Sequence, residues 1–169
     1  MKEFLIVDGY NIIGAWPELL KLKEISLEDA RDRLIDILAD YQGYSGIKVY
    51  LVFDAHQIPG LGGKYEHSKL EIYYTKEKET ADELIERLVT RLAGRRRTIY
   101  VATSDMVEQH VIFANGALRL SARELLIRIK QSRKEVRSRI EHPDPVRNTF
   151  DNWLDPRMKE LFEKWRRGK

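Results

Sequence analysis

Short apolar runs that end on a carboxylate constrain this chain more than any other feature. Phe4-Leu5-Ile6-Val7 ends on Asp8, Val49-Tyr50-Leu51-Val52-Phe53 ends on Asp54, and Ile99-Tyr100-Val101-Ala102-Thr103-Ser104 ends on Asp105. Runs this short, apolar at consecutive positions, fit strands buried on both faces of a parallel sheet. A fourth acid, Asp82, falls in the first turn of a predicted helix that follows the strand-like Leu70-Glu71-Ile72-Tyr73-Tyr74. Parallel strands bring their carboxyl ends to one edge, where open α/β sheets bind ligands. Carboxylates gathered there repel one another unless a cation holds them, and oxygen-rich sites suit Mg²⁺ or Mn²⁺. Metal held by acids with open positions is common equipment for cutting phosphodiesters.

Between the strands the sequence reads as helices. Ser26 caps a helix with an apolar face of Leu27, Ala30, Leu34, Ile37, Leu38 and Tyr41, ended by Gly43 and Gly46. This is the one helix expected between the first two strands. Residues 56–68 read as a loop, with Pro59, Gly60, Gly62 and Gly63. Thr80 and Glu83 form a capping box for a helix burying Ala81, Leu84, Ile85, Leu88 and Leu92, and Gly94 stops it. Asp105 is expected to start another short helix, and Ala117 to Leu120 to form a last short strand. Ser121 and Glu124 cap a long helix, apolar at Ala122, Leu125, Leu126 and Ile129, which then turns basic. Pro143 and Pro145 break it, and Asp155-Pro156 opens a final helix striped by Met158, Leu161, Phe162 and Trp165. Strands alternating with helices predict a mainly parallel sheet.

Charge is divided along the chain. The net charge is +3 over 169 residues, but Arg123 to Lys169 holds fourteen Lys and Arg against eight Asp and Glu. An acidic body with a basic carboxyl-terminal arm suits a protein that holds phosphates with one part and cuts with the other. Cysteine is absent, which excludes a disulfide scaffold, a thiolate zinc site and a cysteine nucleophile, and fits the cytoplasm. Neither a signal peptide nor an apolar run of membrane-spanning length is read, so no membrane is expected as partner.

The stretch Val7-Asp8-Gly9-Tyr10-Asn11 resembles the opening motif of NYN-domain nucleases, the PIN-like branch of ribonucleases. Val52-Phe53-Asp54-Ala55, Thr80-Ala81-Asp82-Glu83 and Ala102-Thr103-Ser104-Asp105 follow in the family's order. Length and basic terminal helices are most similar to the bacterial YacP-type NYN proteins. The resemblance covers roughly residues 1–140, leaving 141–169 as a helical tail. It implies a PIN-like three-layer α/β sandwich with a mainly parallel sheet, Mg²⁺ or Mn²⁺, and endonucleolytic cleavage of RNA. Messenger RNA and the ribosome enter as the implied substrate and candidate partner. Carried over by position, Asp8, Asp82 and Asp105 match the acidic catalytic and metal site. Asp54 is an added metal ligand, and Asn11 steadies a carboxylate or touches a phosphate.

Each of these residues has a plainer reading. Asp82 and Asp105 could be first-turn acids complementing a helix dipole, Asn11 an Asx-turn and Ser104 a helix cap. Ser104 as a site residue, Lys64 and His56 in the glycine loop, and Arg128, Arg133 and Arg137 on the basic helix are candidate substrate contacts. A solvated surface is their alternative. Other folds fail on residues: Gly63-Lys64 is followed by Tyr65, not the Ser or Thr of a P-loop. Tyr10 stands where a haloacid-type phosphatase carries its second Asp, and Gly9 breaks the acidic pair of a response-regulator receiver. The first strand is not followed by G-x-G-x-x-G, and His56, His67, His110 and His142 lack zinc-ligand spacing. The expectation is a metal-dependent endoribonuclease. A non-catalytic RNA- or ribosome-binding module on the same fold and a small-molecule phosphatase are its rivals.

Overall fold

The computed structural model of the protein describes residues 2–55, 63–67, 69–104 and 116–141, with backbone alone at 63–65, 67, 139 and 141. Six strands, β1 (Lys2–Asp8), β2 (Lys48–Phe53), β3 (Gly63–His67), β4 (Leu70–Tyr74), β5 (Arg97–Ala102) and β6 (Leu118–Leu120), form one sheet in the order β3-β4-β2-β1-β5-β6. All pairings are parallel except β3 with β4. The expected parallel sheet is therefore present, and it gains an antiparallel edge strand. Gly63–His67 was read as loop; it is β3, because backbone pairing to β4 needs no apolar side-chain pattern.

Five helices are described: α1 (Gly9–Ala15), α2 (Pro17–Ile25), α3 (Leu27–Ser45), α4 (Ala81–Leu92) and α5 (Ala122–Glu141). Three helices thus stand between β1 and β2 where one was expected. Pro17 at the first position of α2 ends α1 after two turns and starts the next helix. The three expected caps form: Ser26 Oγ accepts from Asp29 N, Thr80 Oγ1 from Glu83 N and Ser121 Oγ from Glu124 N. Gly46 ends α3 in the left-handed conformation at φ 76°.

Strand alternation sorts the core into two layers. Leu5, Val7, Val49, Leu51 and Phe53 pack with Ile12, Ile13, Leu34 and Leu38 of α1 and α3 and with Leu125 and Ile129 of α5. Phe4, Ile6, Tyr50, Val52, Ile99 and Val101 pack with Ala81, Leu84, Ile85 and Leu88 of α4. This is the three-layer sandwich. Trp16 pins the α1–α2 corner to α5, its indole Nε1 donating to Ala122 O at 2.7 Å in a buried site. The chain divides into two compact units, Met1–Ile129 and Lys130–Lys169, the division falling within α5. Among the described residues no helix is long and apolar enough to cross a membrane.

Candidate functional site

From β1 the chain moves outward to β2 and β4, then returns through α4 to β5 and β6 on the other side. The order reverses between β1 and β5, and the crevice at the carboxyl ends of those strands is the place such sheets bind ligands. Asp8 is the last residue of β1 and the N-cap of α1. It is half-buried and pairs in register with Val52, two residues before Asp54. By alternation after Phe4 and Ile6, Asp8 belongs to the α4 side of the sheet. Asp82 is in the first turn of α4, next to Ala81, which is buried in the same layer as Ile6 and Val52.

The Asp8-Gly9-Tyr10-Asn11 turn is fixed by three contacts. Gly9 is buried against Phe53: a Cβ there would lie 2.6 Å from Phe53 Cδ1, closer still to Cε1, and 3.0 Å from Val52 O. Only a residue without a side chain lets α1 start this near the end of β2. The Tyr10 ring sits 5.0 Å from that of Phe53, and its hydroxyl accepts from Arg31 at 3.2 Å. Burial pushes the Tyr10 phenol above its ordinary range; Arg31 draws it back, and the Asp54 charge adds to the rise. Asn11 Oδ1 accepts from Ser104 N at 2.6 Å and from Ser104 Oγ. This latch joins the ends of β1 and β5 across the reversal point.

Thr75 organises the end of β2. It is fully buried; its N donates to Phe53 O at 3.1 Å, and its Oγ1 accepts from Ala55 N at 2.8 Å. The same hydroxyl lies 3.5 Å from Asp54 Oδ1. Sequence reasoning did not single out Thr75 or Arg31, and it named Gly9 and Tyr10 only as parts of the opening motif and gave them no role in the site. A polar residue immediately after Tyr73-Tyr74 at a strand's carboxyl end was the available signal for Thr75.

Other expected site residues fall as follows. Asp105 and His56 lie outside the described residues. Lys64 is on β3 opposite Tyr73, not in a loop. Ser104 bonds the Asn11 amide. Arg128 is half-buried, its guanidinium 4.6 Å over the Tyr100 ring and within reach of Tyr41. On the same helix, Arg133 is half-buried and Arg137 exposed. The donor set is right in kind for a hard divalent cation, since it is all oxygen. In number it is incomplete: among the described residues, no three Asp, Glu or His side chains come together to hold one ion. Asp105, the fourth acid expected at this site, is outside the described residues. An open groove of about 770 Å³ runs along α4 between Lys76 and Arg91, but Asp82 does not line it.

Residues 5–167 match the family described as the YacP-like NYN domain. An uncharacterized protein YacP of Bacillus subtilis (strain 168) is 46% identical over 166 residues, 98% of each chain. A crystal structure of Rae1 (YacP) from Bacillus subtilis matches with a TM-score of 0.72 at 47% identity, covering 98% of this chain and 95% of that one. Its tryptophan-to-leucine mutant matches with the same TM-score at 41% identity, over 95% and 98%.

Proposed function

The chain belongs to the YacP-like NYN domain family, and from that premise we propose that it is a metal-dependent endoribonuclease acting on messenger RNA in the cytoplasm. NYN domains are nuclease-type PIN-like domains, so nuclease chemistry is the family's own. The observation that carries the reading is the Asn11–Ser104 latch beside Asp8, at the reversal point of the sheet. It joins the residues just before Asp105 to the Asp8 turn, although they are 93 positions apart.

In this reading Asp8, Asp54, Asp82 and Asp105 would hold Mg²⁺ or Mn²⁺ through their carboxylate oxygens. The ion supplies an activated water at neutral pH and positive charge at the scissile phosphate. The protein's own residues position and bind. Gly9 and Phe53 set the angle at which Asp8 leaves β1, and Asn11 keeps the two strand ends in register. Thr75 steadies Asp54, and Arg128, Arg133, Arg137 and Lys64 contribute phosphate contacts. Products carry 5′-phosphate and 3′-hydroxyl ends, because water rather than the ribose 2′-hydroxyl attacks. The ribosome is the candidate partner that presents the message.

The rival reading is a non-catalytic RNA- or ribosome-binding module on the same fold. A single experiment separates the two. Purified protein is incubated with structured and unstructured RNA, with and without Mn²⁺, alone and with translating ribosomes. Wild type should cut in the presence of metal, and Asp8→Asn and Asp105→Asn should not. Full activity in both variants refutes the site. RNA binding without cleavage under every condition favours the module.

A further inference from the structure

Asp8 and Asp54 stand at the carboxyl ends of β1 and β2, and the opposite edge of the sheet carries the reverse charge. Strands β4, β2, β1 and β5 lie side by side, and a cation stands at or immediately before the start of each. Lys69 immediately precedes β4, and Lys48, Lys2 and Arg97 are the first residues of β2, β1 and β5. Lys2 pairs in register with Arg97, and Lys48 Nζ donates to Lys69 O at 2.7 Å, while Lys48 is in register with Phe4, so the two pairs follow one another with a step of two residues. At about 4.8 Å between strands the stepped row spans about 14 Å across the sheet. Arg95 and Arg96, both exposed, extend it. The acids at the same strand starts are Glu3 and Glu71, and Glu71 is already 3.7 Å from Lys48. The row is held in place: Arg97 lies 5.7 Å over the Phe4 ring and donates to Leu92 O, while Lys48 lies 5.7 Å over the Tyr50 ring.

A second observation is independent of charge. Among the described residues only Lys69 (φ 70°) and Arg96 (φ 61°) adopt the left-handed conformation without being glycine. Glycine takes that conformation freely, and a side chain there is strained. Both positions keep a cation, and both immediately precede a strand of the row. Strain retained at two equivalent places points to use rather than accident.

We propose that this edge docks the phosphate backbone of RNA, as a contact separate from the acidic edge. The inference deepens the nuclease reading and rests on it for the choice of polyanion. The Phe4 and Tyr50 rings beneath the cations are buried, so bases have no platform and recognition is of backbone charge, independent of sequence. The seven residues of β1 separate the two edges by about 20 Å. An RNA must therefore be long or folded enough to reach both.

The test combines Lys69→Gly with Arg96→Gly, substitutions that relieve the left-handed residues while removing two charges. Binding is measured on an Asp8→Asn background against two unrelated long RNAs and a short oligonucleotide, across a salt titration. The thermal midpoint should hold or rise. The slope of log K against log salt should flatten by up to about 1.4 for a single strand. Affinity should drop alike for both long RNAs and not for the short one. Lys2→Gln with Arg95→Gln, at ordinary φ, should repeat the effect. Unchanged slopes in both pairs overturn the proposal, as does a wild type that binds no RNA. Loss of binding to anionic lipid vesicles with RNA slopes intact overturns it in favour of a membrane. An edge-dependent slope in a wild type that cuts no RNA would sink the nuclease reading and leave this contact standing.

Discussion

Gly9→Ala is the sharpest test of how the site is built. On helix propensity alone the change should help, because alanine outranks glycine by up to about 1 kcal/mol within a helix. Packing predicts the opposite sign. The new methyl would stand 2.6 Å from Phe53 Cδ1, nearer to Cε1, and 3.0 Å from the Val52 carbonyl. The Phe53 ring cannot swing clear, since it is fully buried between Tyr10 at 5.0 Å and Tyr74 at 5.5 Å. Overpacking a filled core costs about 1–3 kcal/mol, and the absence of slack places this case near about 2–3. For a chain of this size that lowers the thermal midpoint by about 5–10 °C. Circular dichroism melts and urea unfolding measure it. The clash also has a partner, so Phe53→Leu should soften it: the double variant should lose at least about 1 kcal/mol less than the two single losses together. A Gly9→Ala midpoint within a degree of wild type, or a strictly additive cycle, would refute the steric account. Cleavage should fall further than stability explains, because Asp8 is bonded directly to the displaced residue and Asn11 lies two positions on.

Four further outcomes are expected. Asn11→Ala removes the acceptor for Ser104 N and Oγ and should cost about 1 kcal/mol in urea unfolding, with a larger drop in RNA cleavage. Trp16→Phe leaves Ala122 O without its indole donor and should lower stability by about 1–2 kcal/mol at unchanged m value. Burial raises the Tyr10 and Tyr41 phenols above their ordinary 10.0, so the unfolded chain ionises first as pH climbs. The stability they contribute is complete below pH about 10 and is lost above it; absorbance at 295 nm and unfolding at pH 8–11 should show a shallower loss in Tyr10→Phe. Arg133→Gln with Arg137→Gln should flatten the salt dependence of single-stranded RNA binding by up to about 1.4 while sparing cleavage at saturating RNA; unchanged slopes would make that face ordinary surface.

What the sequence disclosed followed from local chemistry. The apolar runs at Phe4–Val7 and Val49–Phe53 identify β1 and β2 because strands buried on both faces need no alternation. Ser26, Thr80 and Ser121 announce their helices because a cap is read within three residues. The misses needed distant partners or weak patterns. α1 is seven residues long and carries no full amphipathic period, and β3 is held by backbone bonds to β4 that Gly-Lys-Tyr-Glu-His does not advertise. Asp8 and Asp54 were legible as strand-end acids because an apolar run points to the residue that closes it. The work of Gly9 was not, since Phe53 comes forty-four residues later.

The place of β1 has a consequence for how the protein is made. β1 leaves the ribosome before the other strands, yet it lies inside the sheet between β2 and β5. Its last hydrogen-bonding neighbour is not available until residues 97–102 have been synthesised, and the latch to Ser104 comes later still. Contacts this distant in sequence form slowly, and an apolar strand waiting for both neighbours is a target for misassembly. Until then the Asp8 turn has no Ser104 to hold it, so an unfinished chain lacks the assembled site. On the proposed reading, a nuclease whose site waits for Ser104 cannot cut the message from which it is being translated.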